Sequence, residues 1–139
     1  MRDISYLLAK KIFMENNIWL QLIIGPAILL IAIIFKLFQP KKINYLYGYR
    51  TSRSMKSQEA WKAANRMSAN AFLISALIVV TVQSVLYFVV ETGIQIGITS
   101  AVLVILLAGS MPYVENYLKK NFDENGKPVK NISSPSNTL

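Results

Sequence analysis

The sequence predicts an all-α membrane protein with three transmembrane helices, and an amphipathic cytoplasmic helix at about residues 57–70 that leads into the second span. The first observation is composition: 53% of the 139 residues are hydrophobic and 16% are charged, whereas a soluble domain carries about 25% charged residues. The second is clustering, because the apolar residues form three runs, each close to the ~20 residues that cross a bilayer. In lipid the backbone must satisfy its own hydrogen bonds, which predicts helices.

The three apolar runs define spans at residues 18–38, 71–90 and 94–114. The first run is longer than a signal-peptide core and is followed by Lys and Pro instead of a small-residue cleavage site. We therefore expect a retained anchor. A polar loop, residues 39–70, separates the first span from the second.

The predicted organisation is an N-terminal arm (1–17), a three-span membrane module (18–120) and a tail (121–139). The tail is polar and rich in Asn, Ser, Pro and Gly, a composition typical of disorder, so we expect it to be disordered. Met1 and Met14 are both candidate starts.

The distribution of Lys and Arg predicts the orientation in the membrane. The loop 39–70 carries seven such residues and the segment after the third span (115–139) four, whereas the N-terminal arm carries three. Cytoplasmic segments are enriched in Lys and Arg. Eleven basic residues on the side of the loop and C-terminus against three on the side of the N-terminus predict a bacterial plasma-membrane protein with its N-terminus outside and its C-terminus in the cytoplasm. Topology thus explains the net charge of +8, and no direct nucleic-acid partner is needed.

The second helix is expected to begin before the membrane. Ser57 is a plausible N-cap and Glu59 suits the positive end of the helix dipole. No Gly or Pro occurs between Ser57 and Thr92, so the amphipathic stretch could continue into the second span as one helix of roughly 50 Å. The alternative is a break near residues 68–70, with the first part lying along the headgroups.

The chain contains no His and no Cys. Without them, the sequence offers no nucleophile–base pair and no set of metal ligands. We therefore expect a protein that is not an enzyme and holds no metal or cofactor.

Small and polar residues within the spans predict helix contacts. Gly93, Gly97 and Ala101 recur every four residues along one face of the third span, a spacing typical of close helix packing. Ordinary intramolecular packing is the first interpretation, and a contact between copies in a homo-oligomer is the second. Gln83, in the middle of the second span, is expected to form an interhelical contact.

The loop contains a dense cluster of hydrogen-bonding residues, YLYGYRTSRSMKS at 45–57. Trp61 and Asn65, one helical turn apart, share a face. If that face packs on the loop, Asn65 can hydrogen-bond the loop backbone and Trp61 can cover Gly48, which would make a folded cap. The candidate binding residues of this cap are Asn44, Gly48, Tyr49, Arg50, Thr51, Arg53, Ser54, Trp61 and Asn65.

The run NYLYGYRTSRSMKSQEAWKAANR, residues 44–66, resembles the SdpI family of bacterial membrane immunity proteins. That family carries a G-[YIF]-R-T segment and a following Ser or Thr between two spans, then a Trp and an Asn on the next helix. The resemblance covers roughly the three-span module. The matching positions are Gly48, Arg50, Thr51, Ser54, Trp61 and Asn65.

This resemblance implies bacteriocin immunity, meaning resistance to a secreted, membrane-active peptide toxin made by kin cells. It also implies signal transduction in which a transcriptional repressor is held at the membrane when toxin is present. Two alternatives remain open: a small transporter or channel subunit, and a scaffold that binds anionic membrane lipids, with phosphate as the ligand of Arg50 and Arg53.

Overall fold

The computed structural model describes residues 4–5 and 24–129. This part folds into helix α1 (Ile24–Leu37), helix α2 (Gln58–Leu86) and helix α3 (Thr92–Asn121). The all-helical prediction is confirmed for it. The rest of the N-terminal arm, the start of the first predicted span and residues 130–139 lie outside the described residues.

Helix α1 packs antiparallel against α2. The rings of Phe35 and Phe72 meet edge to face, with centroids 5.9 Å apart, a favoured arrangement for aromatic pairs. Close by, the ammonium group of Lys36 donates a hydrogen bond to the side-chain oxygen of Asn70. The end of α1 is therefore fixed against the middle of α2.

Helix α2 is continuous over 29 residues. Its N-cap is Ser57, whose hydroxyl accepts a hydrogen bond from the backbone N–H of Ala60 at 3.0 Å. No break occurs at residues 68–70, so the alternative of two separate segments is wrong. At 1.5 Å per residue α2 measures about 43 Å, which exceeds a hydrocarbon core of about 30 Å.

Helix α2 ends four residues earlier than the predicted second span. After Leu86 the backbone tightens into a turn, in which Phe88 N–H donates to Val85 O (3.2 Å) and Val89 N–H donates to Leu86 O (3.1 Å). Such three-residue steps are common where an α-helix terminates. Residues 87–91 connect α2 to α3.

Helices α2 and α3 are each long and apolar enough to cross a membrane. Large apolar side chains on both are exposed, among them Ile74, Leu77, Val104 and Ile105. Extended apolar surface of this kind is typical of a membrane or partner interface. The described part of α1 is apolar but shorter than these two helices.

The compact core lies at one end of the helices, beyond the most apolar segments. Ala60 and Ala64 of α2 pack against Val114 and Leu118 of α3, and Phe122 closes the cluster. Because α3 continues seven residues past the predicted end of the third span, both helices extend together and bury this core.

A hook, residues 122–129, follows α3. Asp123 N–H donates to Lys127 O at 2.8 Å, and the Ser57 hydroxyl donates to Gly126 O. The prediction of disorder from residue 121 is therefore wrong for this segment, because its turn is closed by hydrogen bonds and docked on the start of α2.

Gln83 lies where α1, α2 and α3 approach one another. A Cβ built on Gly25 of α1 would stand 2.3 Å from Gln83 Oε1, so glycine permits this close approach. The side-chain amide of Gln95 in α3 is buried and donates to Gln83 O at 2.9 Å. This is the arrangement expected of an interhelical contact.

The small-residue face of α3 has no packing partner among the described residues. No described residue lies within 4 Å of a Cβ built on Gly93 or Gly97, and Ala101 is exposed. Intramolecular packing through this face therefore stays a prediction. A contact between copies stays a prediction.

Candidate functional site: the cap

The loop between α1 and α2 folds onto the helix ends and forms a cap, which we define as residues 38–66 together with residues 111–122. Gly48 lies near its centre with a φ of +110°, a backbone conformation that side-chain-bearing residues rarely adopt. A Cβ here would stand 2.5 Å from Asn65 Oδ1, 2.8 Å from Pro40 Cγ and 3.3 Å from Trp61 Cζ2. Only glycine fits this position without displacing its neighbours.

Trp61 is completely buried beneath the loop. Its indole N–H donates to Pro40 O at 3.0 Å, which satisfies the one polar group of the ring. Pro40 is itself buried and follows the end of α1. Trp61 therefore joins the exit of α1 to the first turns of α2.

Asn65 makes hydrogen bonds in two directions. Its Oδ1 accepts from Tyr49 N–H at 2.7 Å, and its Nδ2 donates to Trp61 O at 2.9 Å. Its side chain is almost fully buried, where an unmade hydrogen bond costs about 1–3 kcal/mol. The structure confirms that Trp61 covers Gly48 and that Asn65 bonds the loop backbone.

Ser54 organises the second half of the loop and is completely buried. Its hydroxyl lies 2.8 Å from Tyr49 O, to which it donates, and accepts from Thr51 N–H at 2.9 Å. In return, Thr51 Oγ1 accepts from Ser54 N–H at 3.2 Å. These reciprocal side-chain to backbone bonds close a local turn, which explains the hydroxyl residues of the sequence.

Tyr49 connects the loop to α3. Its phenol oxygen lies 3.1 Å from Met111 O and 3.2 Å from Glu115 Oε1, so one hydroxyl hydrogen serves two acceptors. Burial, and then the neighbouring Glu115 carboxylate, raise the pKa of Tyr49 to about 12. The same carboxylate approaches Arg53, with Nε to Oε2 at 3.9 Å.

Arg50 differs from the other candidate residues. It is exposed and has no hydrogen bond or ion pair to any residue within 24–129. Asn44, by contrast, accepts backbone hydrogen bonds from Leu46 and Tyr47 at 3.0 and 3.1 Å, which closes an Asx turn. Most of the candidate residues thus belong to one network of hydrogen bonds and close contacts, whereas Asn44 closes a separate turn and Arg50 lies outside the network.

Three contacts of the cap were not predicted. Pro40 accepts the indole bond, Glu115 meets Tyr49 and Arg53, and Gly126 of the hook touches Ser57. The hook carried a usable signal, because Asn125-Gly126 is a strong turn dipeptide. Neither Pro40 nor Glu115 carried one, since each meets a partner distant in the chain.

Within residues 24–129 and 4–5, no three Asp, Glu, His or Cys side chains gather as a metal site requires. What the cap offers is hydrogen bonding, exposed guanidinium groups and aromatic surface, which are the features of a binding site.

Residues 41–114 match the SdpI/YfhL protein family. The chain belongs to this family. The match includes most of the loop, all of α2 and α3 as far as Val114, so it contains Gly48, Trp61 and Asn65. Family membership and the two long apolar helices together identify a membrane protein.

Among curated proteins, the chain is similar to the uncharacterized protein YfhL of Bacillus subtilis (strain 168), with 48% identity over 58 residues. The aligned region covers 41% of this chain and 53% of that protein, so the chain spans about half the length of the curated relative. No solved structure gives a significant match.

Proposed function

We propose that the protein is an integral membrane immunity and signalling protein that gives resistance to a secreted antimicrobial peptide toxin. It has three spans, its N-terminus outside and its C-terminus in the bacterial cytoplasm. Family membership supports the class of function, and the eleven-to-three distribution of Lys and Arg supports the orientation.

One observation carries the binding role: an exposed aromatic and cationic surface on a rigid loop. Tyr45, Leu46 and Tyr47 are exposed by 79%, 88% and 49%, and Arg50 is exposed beside them in sequence. Tyr and Arg are enriched among the residues that dominate binding energy at protein interfaces. We call this surface, Tyr45–Tyr47 with Arg50, the YLY–Arg50 surface.

The buried network beneath supports this reading. Gly48, Asn65 and Ser54 fix the loop backbone on both sides of the YLY–Arg50 surface. A preorganised loop loses little conformational entropy when it binds. The partner that we propose is the peptide toxin, a transcriptional repressor, or both in succession.

The test is protection of cells. The chain is expressed in a bacterial strain sensitive to the toxin, with culture supernatant of toxin-producing kin as the source. We expect the wild type to protect, and Arg50→Ala to lose protection while it accumulates normally, because Arg50 is exposed and forms no hydrogen bond or ion pair with a described residue. Lys119→Ala, an exposed cation of α3, is the matched control and should protect fully.

Two further readouts use the same strains. Green fluorescent protein fused to the C-terminus fluoresces only in the cytoplasm, so a dark fusion would contradict the orientation. Equal killing with and without the wild-type chain would contradict immunity, and a repressor that stays soluble in toxin-treated cells would contradict the signalling role.

The transporter alternative gains no support from the described helices. Ser75 and Thr99 are buried in α2 and α3, but their hydroxyls donate to carbonyls of their own helices, at 2.8 Å each. Gln95 is likewise occupied by Gln83 O. These hydrogen bonds occupy the polar groups within and between the helices.

A further inference from the structure

A groove of about 680 Å³ lies between the exit of α1 and the first turns of α2. Its volume is in the range of small-molecule sites, roughly 300–1,000 Å³. We call it the basic groove. It is lined by Gln39, Pro40, Lys41, Lys42, Ile43, Gln58, Lys62, Asn65 and Arg66.

Four cations converge on the basic groove: Lys41, Lys42, Lys62 and Arg66. No carboxylate from the described residues lines it. None of the four forms an ion pair with a residue in the described part of the chain. Uncompensated positive charge in a concave site raises the local concentration of anions.

The walls of the groove are held in place by side-chain to backbone bonds. The amide of Gln58 donates to Lys41 O, and its oxygen accepts from Ile43 N–H at 3.4 Å. Trp61 fixes Pro40 in the same manner at 3.0 Å. The loop cations are therefore presented against those of α2 before any ligand arrives, which lowers the entropic cost of binding.

The groove lies at the depth where the apolar helices end. Helix α1 ends at Leu37, immediately before the groove residues, and Lys36 bonds Asn70 of α2 at the same level. Lys62 and Arg66 lie one turn apart on α2, in the part that precedes its most apolar segment. This is the level of lipid headgroups, and basic pockets at the cytoplasmic ends of spans bind anionic headgroups.

We propose that the basic groove binds the phosphate-bearing headgroup of an anionic phospholipid. This site differs from the one in the lipid-scaffold alternative, in which Arg50 and Arg53 hold the phosphate. Arg53 pairs with Glu115, and neither Arg50 nor Arg53 lines the groove. It rests on the membrane orientation of the proposed function and not on immunity. A bound headgroup would tie the α1 exit to α2 beside the YLY–Arg50 surface.

The experiment uses the full chain, purified in detergent, with native mass spectrometry to count bound lipid. Phosphatidylglycerol is titrated against phosphatidylcholine, which has a phosphate but no net charge. We expect the wild type to prefer phosphatidylglycerol. Lys62→Gln with Arg66→Gln should weaken that binding about 30-fold, since each cation near a membrane surface contributes about a factor of five.

The matched control is Lys119→Gln with Lys120→Gln, which removes the same charge from exposed positions of α3 outside the groove. It should leave phosphatidylglycerol binding unchanged. Lys62 and Arg66 are also exposed, so both double variants are expected to fold, which an unchanged melting temperature in detergent verifies.

Inorganic phosphate provides the third arm and separates the two sources of the ligand. If phosphate stabilises the wild type as strongly as phosphatidylglycerol, the ligand is a soluble phosphate and the lipid proposal is overturned. Equal binding of the two lipids, or equal loss in both double variants, also overturns it. The assay needs no toxin, so its failure is distinct from a failure of the immunity proposal.

Discussion

Gly48→Ala is the most informative single change in the cap. The methyl group would lie 2.5 Å from Asn65 Oδ1 and 2.8 Å from Pro40 Cγ, distances that van der Waals contact forbids. Alanine must also adopt the φ of +110° that glycine has here. The substitution therefore opposes both the backbone conformation and the packing of the cap.

Its magnitude follows from these two effects. A non-glycine residue in such a backbone region costs about 1–3 kcal/mol. Moving Asn65 to relieve the clash breaks its 2.7 Å bond to Tyr49 N–H, and loss of a buried hydrogen bond costs about 1–3 kcal/mol. Because the two effects share one relaxation, we expect a total of about 3–4 kcal/mol.

Hydrogen exchange measures this effect locally, since amide protection reports the free energy of opening. At about 1.4 kcal/mol per factor of ten, the amides of residues 45–57 should exchange roughly 10²- to 10³-fold faster in Gly48→Ala. Gly97→Ala is the control, because no described residue surrounds Gly97. It should leave loop exchange unchanged.

A second variant tests the assigned cause. If the clash with Asn65 matters, Gly48→Ala should cost less in the Asn65→Ala background than in wild type, because the shared hydrogen bond is already lost and only the backbone strain and the contact with Pro40 remain. Unchanged loop exchange in Gly48→Ala would refute the reasoning, as would full additivity in the double variant.

Two further predictions concern the contacts of the cap with α3 and the hook. Tyr49→Phe should destabilise the cap by about 1 kcal/mol, measured by thermal unfolding against wild type. The pKa of Tyr49 is raised from 10.0 to about 12 in the folded chain, so this difference in stability should persist below pH 10 and disappear as the pH rises towards 12. A difference that does not depend on pH would contradict the assignment. Gly126→Ala places a Cβ 2.8 Å from Lys56 Cβ and 3.1 Å from Ser57 N, at a φ of +77°. This clash should release the hook, so limited proteolysis should cleave residues 122–129 faster than in wild type. Equal cleavage would show that the hook is not docked on Ser57.

The centre of the cap could be predicted because its signals are local. The four-residue spacing of Trp61 and Asn65 placed both on one face, which predicted that Trp61 covers Gly48 and that Asn65 bonds the loop backbone. Loop and helix lie close in sequence, so the contact of Asn65 with Gly48 and Tyr49 needed no knowledge of the third helix.

The contacts with α3 could not be predicted in the same way. Glu115 meets Tyr49 across 66 positions of the chain, and no local pattern encodes that distance. The hook was misjudged because its polar composition matches disordered segments, whereas Asp123 and Gly126 close a turn that docks on Ser57. The small-residue face of α3 has a packing pattern, but the described helices leave Gly93 and Gly97 without a neighbour.

The central claim is that the rigid cap presents Arg50 to a partner of the immunity system. Survival of toxin-exposed cells that express wild type, Arg50→Ala or Lys119→Ala, at equal membrane abundance, tests it most directly. We predict protection by wild type and Lys119→Ala and loss of protection by Arg50→Ala. Full protection by Arg50→Ala would contradict the claim, because the one exposed arginine of the motif would then have no part in immunity.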